Sequence, residues 1–142
     1  MKTLKSHLVC FALLSFFSMQ LSHAQIAYQW QKAYGGSLND GAYSISTTND
    51  GGTIVGGYSY SGISGIKTES AFGLGDYWVL KLDADGNVEW QKTYGGSGLD
   101  VLVQVVQTAD GGYFVGGYSQ SPISGNKTEN SIAGTPDIWL LR

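Results

Sequence analysis

The sequence predicts an all-β chain: two four-stranded antiparallel β-propeller-like blades, an incomplete propeller, following an N-terminal signal peptide. Three observations predict it. The string WQKAYGGS at Trp30–Ser37 returns with one change as WQKTYGGS at Trp90–Ser97. Gly supplies 21 of 142 residues, with nine Tyr, four Trp and only two Pro, a composition suited to short strands and tight turns. After residue 25 no window carries the apolar stripe of an amphipathic helix.

The leader comes first. Lys2 and Lys5 precede the apolar run Leu8–Phe17, and Ser22 and Ala24 stand at the small-residue positions a signal peptidase reads. That run is roughly half of what a bilayer-spanning helix needs. Residues 1–24 therefore read as a signal peptide cleaved after Ala24, with no membrane span and a secreted or cell-surface location. Cys10 lacks the small residue expected before a lipidated cysteine, which argues against a lipoprotein. His7, His23 and Cys10 leave with this segment. What remains has no His and no Cys, so it has no disulfide, no His/Cys zinc site, no Cys nucleophile and no His-based triad. Its eleven acids against six Lys and Arg give a formal charge of −5, the wrong sign for a phosphate-tracking nucleic-acid surface.

Residues 25–142 form one repeat region, with repeat 1 at about 26–86 and repeat 2 at about 87–142. A shift of sixty aligns Trp30–Gly75 with Trp90–Thr135, and 24 of the 46 positions are identical. One extra residue then brings Asp76 and Trp78 onto Asp137 and Trp139. Such self-similarity marks a repeat architecture.

Each unit reads as four strands. The first is expected at Ile26–Tyr34 and again at Val88–Tyr94. The second spans about Asp40–Thr48, where alternation puts Tyr43 and Ile45 on one face and, in the copy, Val103 and Val105. Asn49–Gly52 and Ala109–Gly112 are Asp-Gly turn strings that supply positive φ, so the third strand, Thr53–Ser59, pairs back on the second. Gly56–Gly57 and Gly116–Gly117 inside that strand imply a close approach by other groups. A polar connection of about sixteen residues follows. The fourth strand, Asp76–Leu82, sets Trp78, Leu80 and Leu82 against Tyr77, Val79 and Lys81, and the turn Asp83–Asn87 leads into the next unit. Four antiparallel strands at a period near sixty are the signature of propeller blades.

The pattern WQKTYGGS, DGGYxVGGYS and DYWVLKLDADGNVEWQK resembles the repeats of large secreted Bacteroidetes proteins, covering nearly all of residues 26–142. The resemblance implies β-propellers, often in cargo of the type IX secretion route, some of it labelled endoglucanase. LDADGNVEW is also similar to the turn-and-Trp segment of quinoprotein-type blades. The departure is in number: closed propellers have four to eight blades, and two repeats are present here. Arg142 aligns with Lys81, so the second repeat reads as truncated and the chain as a fragment of a larger secreted protein. The alternative is a two-blade chain that self-associates through exposed blade edges.

Candidate sites are few. Asp83, Asp85 and Asn87 have the spacing that opens a calcium loop, but Glu89 follows too soon to be its distal acid; a β-turn is expected. The strings SGIKTE and SGNKTE lack the glycines of a phosphate-binding loop and read as ordered surface loop. Asn126-Lys127-Thr128 fits a glycosylation acceptor, a pattern without meaning in the bacterial protein that the resemblance implies. Asp40, Asp50, Glu69 and Asp76 are the carboxylates a glycosidase would need, yet each has a copy at Asp100, Asp110, Glu129 or Asp137. Such repetition suits caps and turns better than the asymmetric pair that acid–base chemistry needs. Tyr58, Tyr60, Tyr77 and Trp78 border the long connection and offer rings on which sugars stack. Trp78 and Trp139 read as packing between blades; Tyr60, copied as Gln120, is open to either role.

The reading is an exported, non-catalytic repeat module acting as scaffold or surface-binding unit, with no catalytic, cofactor or metal residues assigned and no cofactor. Its expected partner is a polysaccharide or another surface protein. The alternative is an accessory or catalytic part of a secreted polysaccharide-degrading enzyme. A quinoprotein-like cofactor site ranks last, because it needs a closed ring.

Overall fold

A computed structural model describes residues 28–142; the expected leader, its cleavage site and the start of the first expected strand lie outside the described residues. The fold is all-β. Strands β1 (Asp40–Thr47), β2 (Thr53–Ser59), β3 (Asp76–Leu82) and β4 (Val88–Tyr94) form one antiparallel sheet in sequence order. Strands β5 (Asp100–Gln107), β6 (Tyr113–Ser119) and β7 (Asp137–Leu141) form a second. A single 3₁₀ turn, Ile132–Gly134, is the one helical element among the described residues. No helix there is long and apolar enough to cross a membrane.

The turns are those the sequence calls for. Gly51 and Gly111 take φ of 83° and 86°, and the Asp50 and Asp110 side chains accept the N–H of Gly52 and Gly112. Strand β2 then pairs back on β1, and β6 on β5.

Two expectations are corrected. Residues 28–34 form no strand, and Val88–Tyr94, the copy of that segment, completes the first sheet rather than opening the second. It pairs with β3 because the tight turn at Asp83–Asn87 folds it straight back. The second sheet therefore has three strands, and sheet boundaries are offset from repeat boundaries by one strand. The face-sharing of Val103 with Val105 also fails. A β-bulge slips the register between Leu102 and Gln104, as its copy does between Ala42 and Ser44, so alternation breaks. Leu102 and Val105 point inward and are fully buried, while Val103 is exposed.

The sheets stack face to face. Ile54, Tyr77 and Val79 of the first pack against Leu102, Val105, Val115 and Trp139 of the second. This is where the paired glycines act. A Cβ on Gly56 would come within 2.6 Å of Leu102 Cδ2, and a Cβ on Gly57 would overlap Gly41 O across the bulge. Ser44 adds a polar tie, accepting the Val105 N–H at 3.1 Å and donating to Val105 O at 3.3 Å. On the opposite face of the first sheet a smaller cluster, Trp78, Leu80 and Leu82, is covered by Trp30, Tyr34, Val55 and Val88.

Candidate functional site

All four long-loop ends lie together. Strands β1, β3, β5 and β7 start there with Asp40, Asp76, Asp100 and Asp137, and β2 and β6 end there with Ser59 and Ser119. A strand start leaves preceding loop amides unpaired, and a carboxylate is the side chain best suited to accept them. Asp40 Oδ2 takes the Gly36 N–H at 2.8 Å and the Ser61 hydroxyl at 3.2 Å, while Ser59 donates to its Oδ1. Asp100 Oδ2 repeats this with Gly96 N–H and the Ser121 hydroxyl, both at 2.8 Å. Asp76 Oδ2 accepts from Phe72 N at 2.7 Å, and Asp137 Oδ2 accepts from Ile132 N. These four carboxylates act as loop caps.

Most of the remaining acids are engaged elsewhere. Asp50 pairs with Lys81 at 2.8 Å, and Lys81, almost fully buried, also reaches Glu89 at 2.7 Å. Hydrogen bonds from Lys81, Thr48 and Gly52 hold the Asp50 carboxyl well below its ordinary range. In the copy, Asp110 pairs with Arg142. Glu69 takes Lys92 on one oxygen and the Thr93 N–H on the other, both at 2.6 Å. Glu129 makes no side-chain hydrogen bond among the described residues. Asp83 accepts the amides of Asp85 and Asn87 and the Asn87 side-chain amide, so this string closes as a β-turn.

One pair of acids stands apart. Asp76 and Asp100 come from different repeats at non-equivalent positions, and both are fully buried. Gly95 lies between them; a Cβ there would overlap Asp76 Oδ1 and sit 2.9 Å from Asp100 Oδ2. Each carboxylate has one oxygen, Oδ1, without a partner among the described residues. Burial first, and then the neighbouring Asp100, push the Asp76 carboxyl up to about 6. A polymer cannot reach either group.

The aromatic candidates separate by exposure. Tyr77 and Trp78 are core residues, with Tyr77 OH bonded to Trp139 O at 3.1 Å and Trp78 Nε1 to Gln91 Oε1 at 3.1 Å. Trp139 is buried against Tyr77. Tyr58 and Tyr60 are half-buried and continue an aromatic row that alternation alone did not single out for binding. Tyr43 lies 5.7 Å from Tyr58, and Tyr58 lies 5.6 Å from Tyr60, edge to face. Tyr43 is 61% exposed. The row belongs to the first repeat alone, because Tyr43 and Tyr60 are copied as Val103 and Gln120.

The loop strings hold a buried cation that polarity in the sequence conceals. Lys67 is not on the surface: its Nζ donates to Thr93 Oγ1 at 2.7 Å and Glu69 O at 2.6 Å and lies 5.9 Å above the Trp78 ring. Lys127 is buried in the same way over Trp139. The reappearance of Lys-Thr-Glu in both loops is the available signal.

No protein-family model matches the chain, and no curated protein matches it.

Proposed function

We propose that the chain is an exported, non-catalytic repeat module whose two sheets are blades of the β-propeller type, acting as a scaffold or surface-binding unit. In this reading residues 1–24 are a signal peptide cleaved after Ala24, and the product is secreted or displayed at the cell surface. Its partner is a polysaccharide or another surface protein.

One observation carries the binding part. The row Tyr43, Tyr58 and Tyr60 is an aromatic arrangement that the second repeat does not reproduce, and Tyr43 opens it to solvent. Rings spaced 5–6 Å apart present apolar faces with hydroxyl edges, which suits stacking against pyranose rings and hydrogen bonding to their hydroxyls. The carboxylates support the non-catalytic part. Those near the row cap loops or lie buried, so none is free to serve as acid or base beside a bound sugar.

The test is a panel of insoluble polysaccharides scored for both retention and new reducing ends. Retention that falls at least tenfold in Tyr43→Ala or Tyr60→Ala, with no reducing ends released, is expected. Reducing ends that vanish in a single Asp→Asn variant would replace this reading with the polysaccharide-degrading alternative.

A further inference from the structure

The interface between the two sheets is built from copies, and each half of it occurs twice. The first sheet presents Ile54, Gly56, Tyr77 and Val79 to the second. Their copies, Phe114, Gly116, Ile138 and Leu140, form the outer face of the second sheet. That face is open: Ile138 is 82% and Leu140 68% exposed, and a Cβ on Gly116 would meet Leu140 alone. The second sheet in turn presents Leu102, Val105, Val115, Gly117 and Trp139 to the first. Their copies, Ala42, Ile45, Val55, Gly57 and Trp78, lie on the outer face of the first sheet. There a hollow of about 100 Å³ is lined by Ala42, Val55, Gly57 and Trp78 with Tyr34, and Ile45 is 72% exposed. The chain therefore carries both halves of an interface it has already made once.

The edge strands repeat the same logic. Strand β3 is flanked by β4, whereas β7, its copy, is paired with β6 alone among the described residues. The sequence equivalent of β4 is Tyr28–Tyr34, which forms no strand and donates no backbone N–H to a backbone carbonyl among the described residues. It is nonetheless held in place. Trp30 Nε1 donates to Ala84 O at 3.0 Å and Tyr34 OH to Gly86 O at 2.6 Å, and both rings cover the Trp78–Leu80–Leu82 cluster. Trp90 and Tyr94 of β4 lean on the second sheet in the same sense, against Tyr113 and the Trp139 cluster. The links onward also match: Gly36 to Asp40, Ser37 to Ser64 and Leu38 to Ser61 reappear as Gly96 to Asp100, Ser97 to Ser124 and Gly98 to Ser121. Tyr28–Tyr34 thus lies against the first sheet as β4 lies against the second, but has no strand beside it among the described residues.

We infer that a second copy of this chain docks head to tail on the first, its Tyr28–Tyr34 segment adding to the β7 edge as a fourth strand and its Ala42–Trp78 face covering Phe114, Ile138 and Leu140. The register follows from β3 and β4, where Leu80 lies opposite Gln91; Leu141 of one copy lies opposite Gln31 of the other. Gln31 then accepts the Trp139 Nε1–H as Gln91 accepts that of Trp78. The idle Glu129 carboxylate accepts the Ala33 N–H as Glu69 accepts that of Thr93. Because two different faces meet, the contact is heterologous and continues through further copies into a ring or a filament.

Sedimentation of the purified chain over a wide concentration range tests the inference, with the double variant Ile138→Asp, Leu140→Asp beside it. Both side chains are exposed within one chain, so the variant keeps its own two-sheet core. The weight-average mass of the wild type should rise with concentration and that of the variant should stay at the monomer. A wild type that stays monomeric throughout, or association unchanged in the variant, overturns the proposal. A second measurement does not depend on that variant folding. Gln31→Cys and Leu141→Cys chains, each in a Cys10→Ser background, should form a disulfide-linked dimer when mixed and not when oxidised separately. Cross-linking in either single-variant sample to the same extent as in the mixture contradicts the head-to-tail register.

Discussion

Alanine at Gly56 and alanine at Gly116 are the same substitution at copied positions with opposite surroundings. At Gly56 the new methyl would sit 2.6 Å from Leu102 Cδ2, 3.1 Å from Leu102 Cδ1 and 3.0 Å from Val105 Cγ1, where carbon atoms prefer about 3.5–4.0 Å. Leu102 must retreat by about 1 Å, and it is fully buried among Ile54, Tyr77, Val79 and Val105. Overpacking of this kind costs about 1–3 kcal/mol. Replacing Gly restricts the unfolded chain and returns about 0.4–1 kcal/mol, so the net loss should be about 1–2 kcal/mol. At Gly116 the methyl meets just the tip of Leu140, an exposed and freely rotating side chain. The unfolded-state gain should then dominate, leaving that variant between neutral and about 1 kcal/mol more stable. Urea unfolding of dilute protein, followed by tryptophan fluorescence, measures both. Equal shifts in the two variants, or a larger loss at Gly116, would refute the stacking of β5 on the Gly56 face.

Further outcomes follow from the same structure. Leu102→Ala should lose about 2–5 kcal/mol and Val103→Ala less than about 0.5 kcal/mol in the same urea assay, because the bulge buries one and exposes the other. Lys67→Ala should cost about 1–3 kcal/mol by removing the donor that ties the long loop to Thr93, and thermal melts should show a smaller loss for Lys127→Ala, which has no hydroxyl partner among the described residues. Asp76 titrates near 6 in the fold and near 3.8 unfolded. Its native form holds a proton that the unfolded form has released, so its contribution is fully present below about pH 4 and lost as pH rises through 6, by at most about 3 kcal/mol. Lys67 and Asp100 are the charged groups facing it. The difference in Tm between Asp76→Asn and wild type should therefore move in the variant's favour between pH 4 and 7; a constant difference would contradict the buried carboxylate pair.

How much of this was legible depended on whether the cause lay within a few residues. The Asp-Gly turns and the strands Thr53–Ser59 and Asp76–Leu82 were legible because turn chemistry and alternation are local. The close approach at Gly56 and Gly57 was legible because glycine inside a strand has few other causes. The bulge at Ala42–Ser44 was not, since nothing in Ala-Tyr-Ser distinguishes a slipped register from regular alternation. Lys67 read as a surface residue because its burial depends on Thr93 and Trp78, far away in sequence. The Asp76–Asp100 pair joins two unlike positions of two repeats, so alignment of the copies separated it. The offset of sheet from repeat was hidden for the deepest reason: WQKAY and WQKTY differ by one residue, and what decides which becomes a strand is whether β3 lies beside it.

That contrast offers the most direct measurement. Amide hydrogen exchange on dilute protein compares the Trp30–Tyr34 and Trp90–Tyr94 segments within one molecule. Slow exchange is expected at the Trp90–Tyr94 amides bonded to β3 and fast exchange along Trp30–Tyr34, whose contacts are made by side chains. Equal protection of the two segments, or fast exchange in the second, would contradict a first sheet completed by the strand of the following repeat.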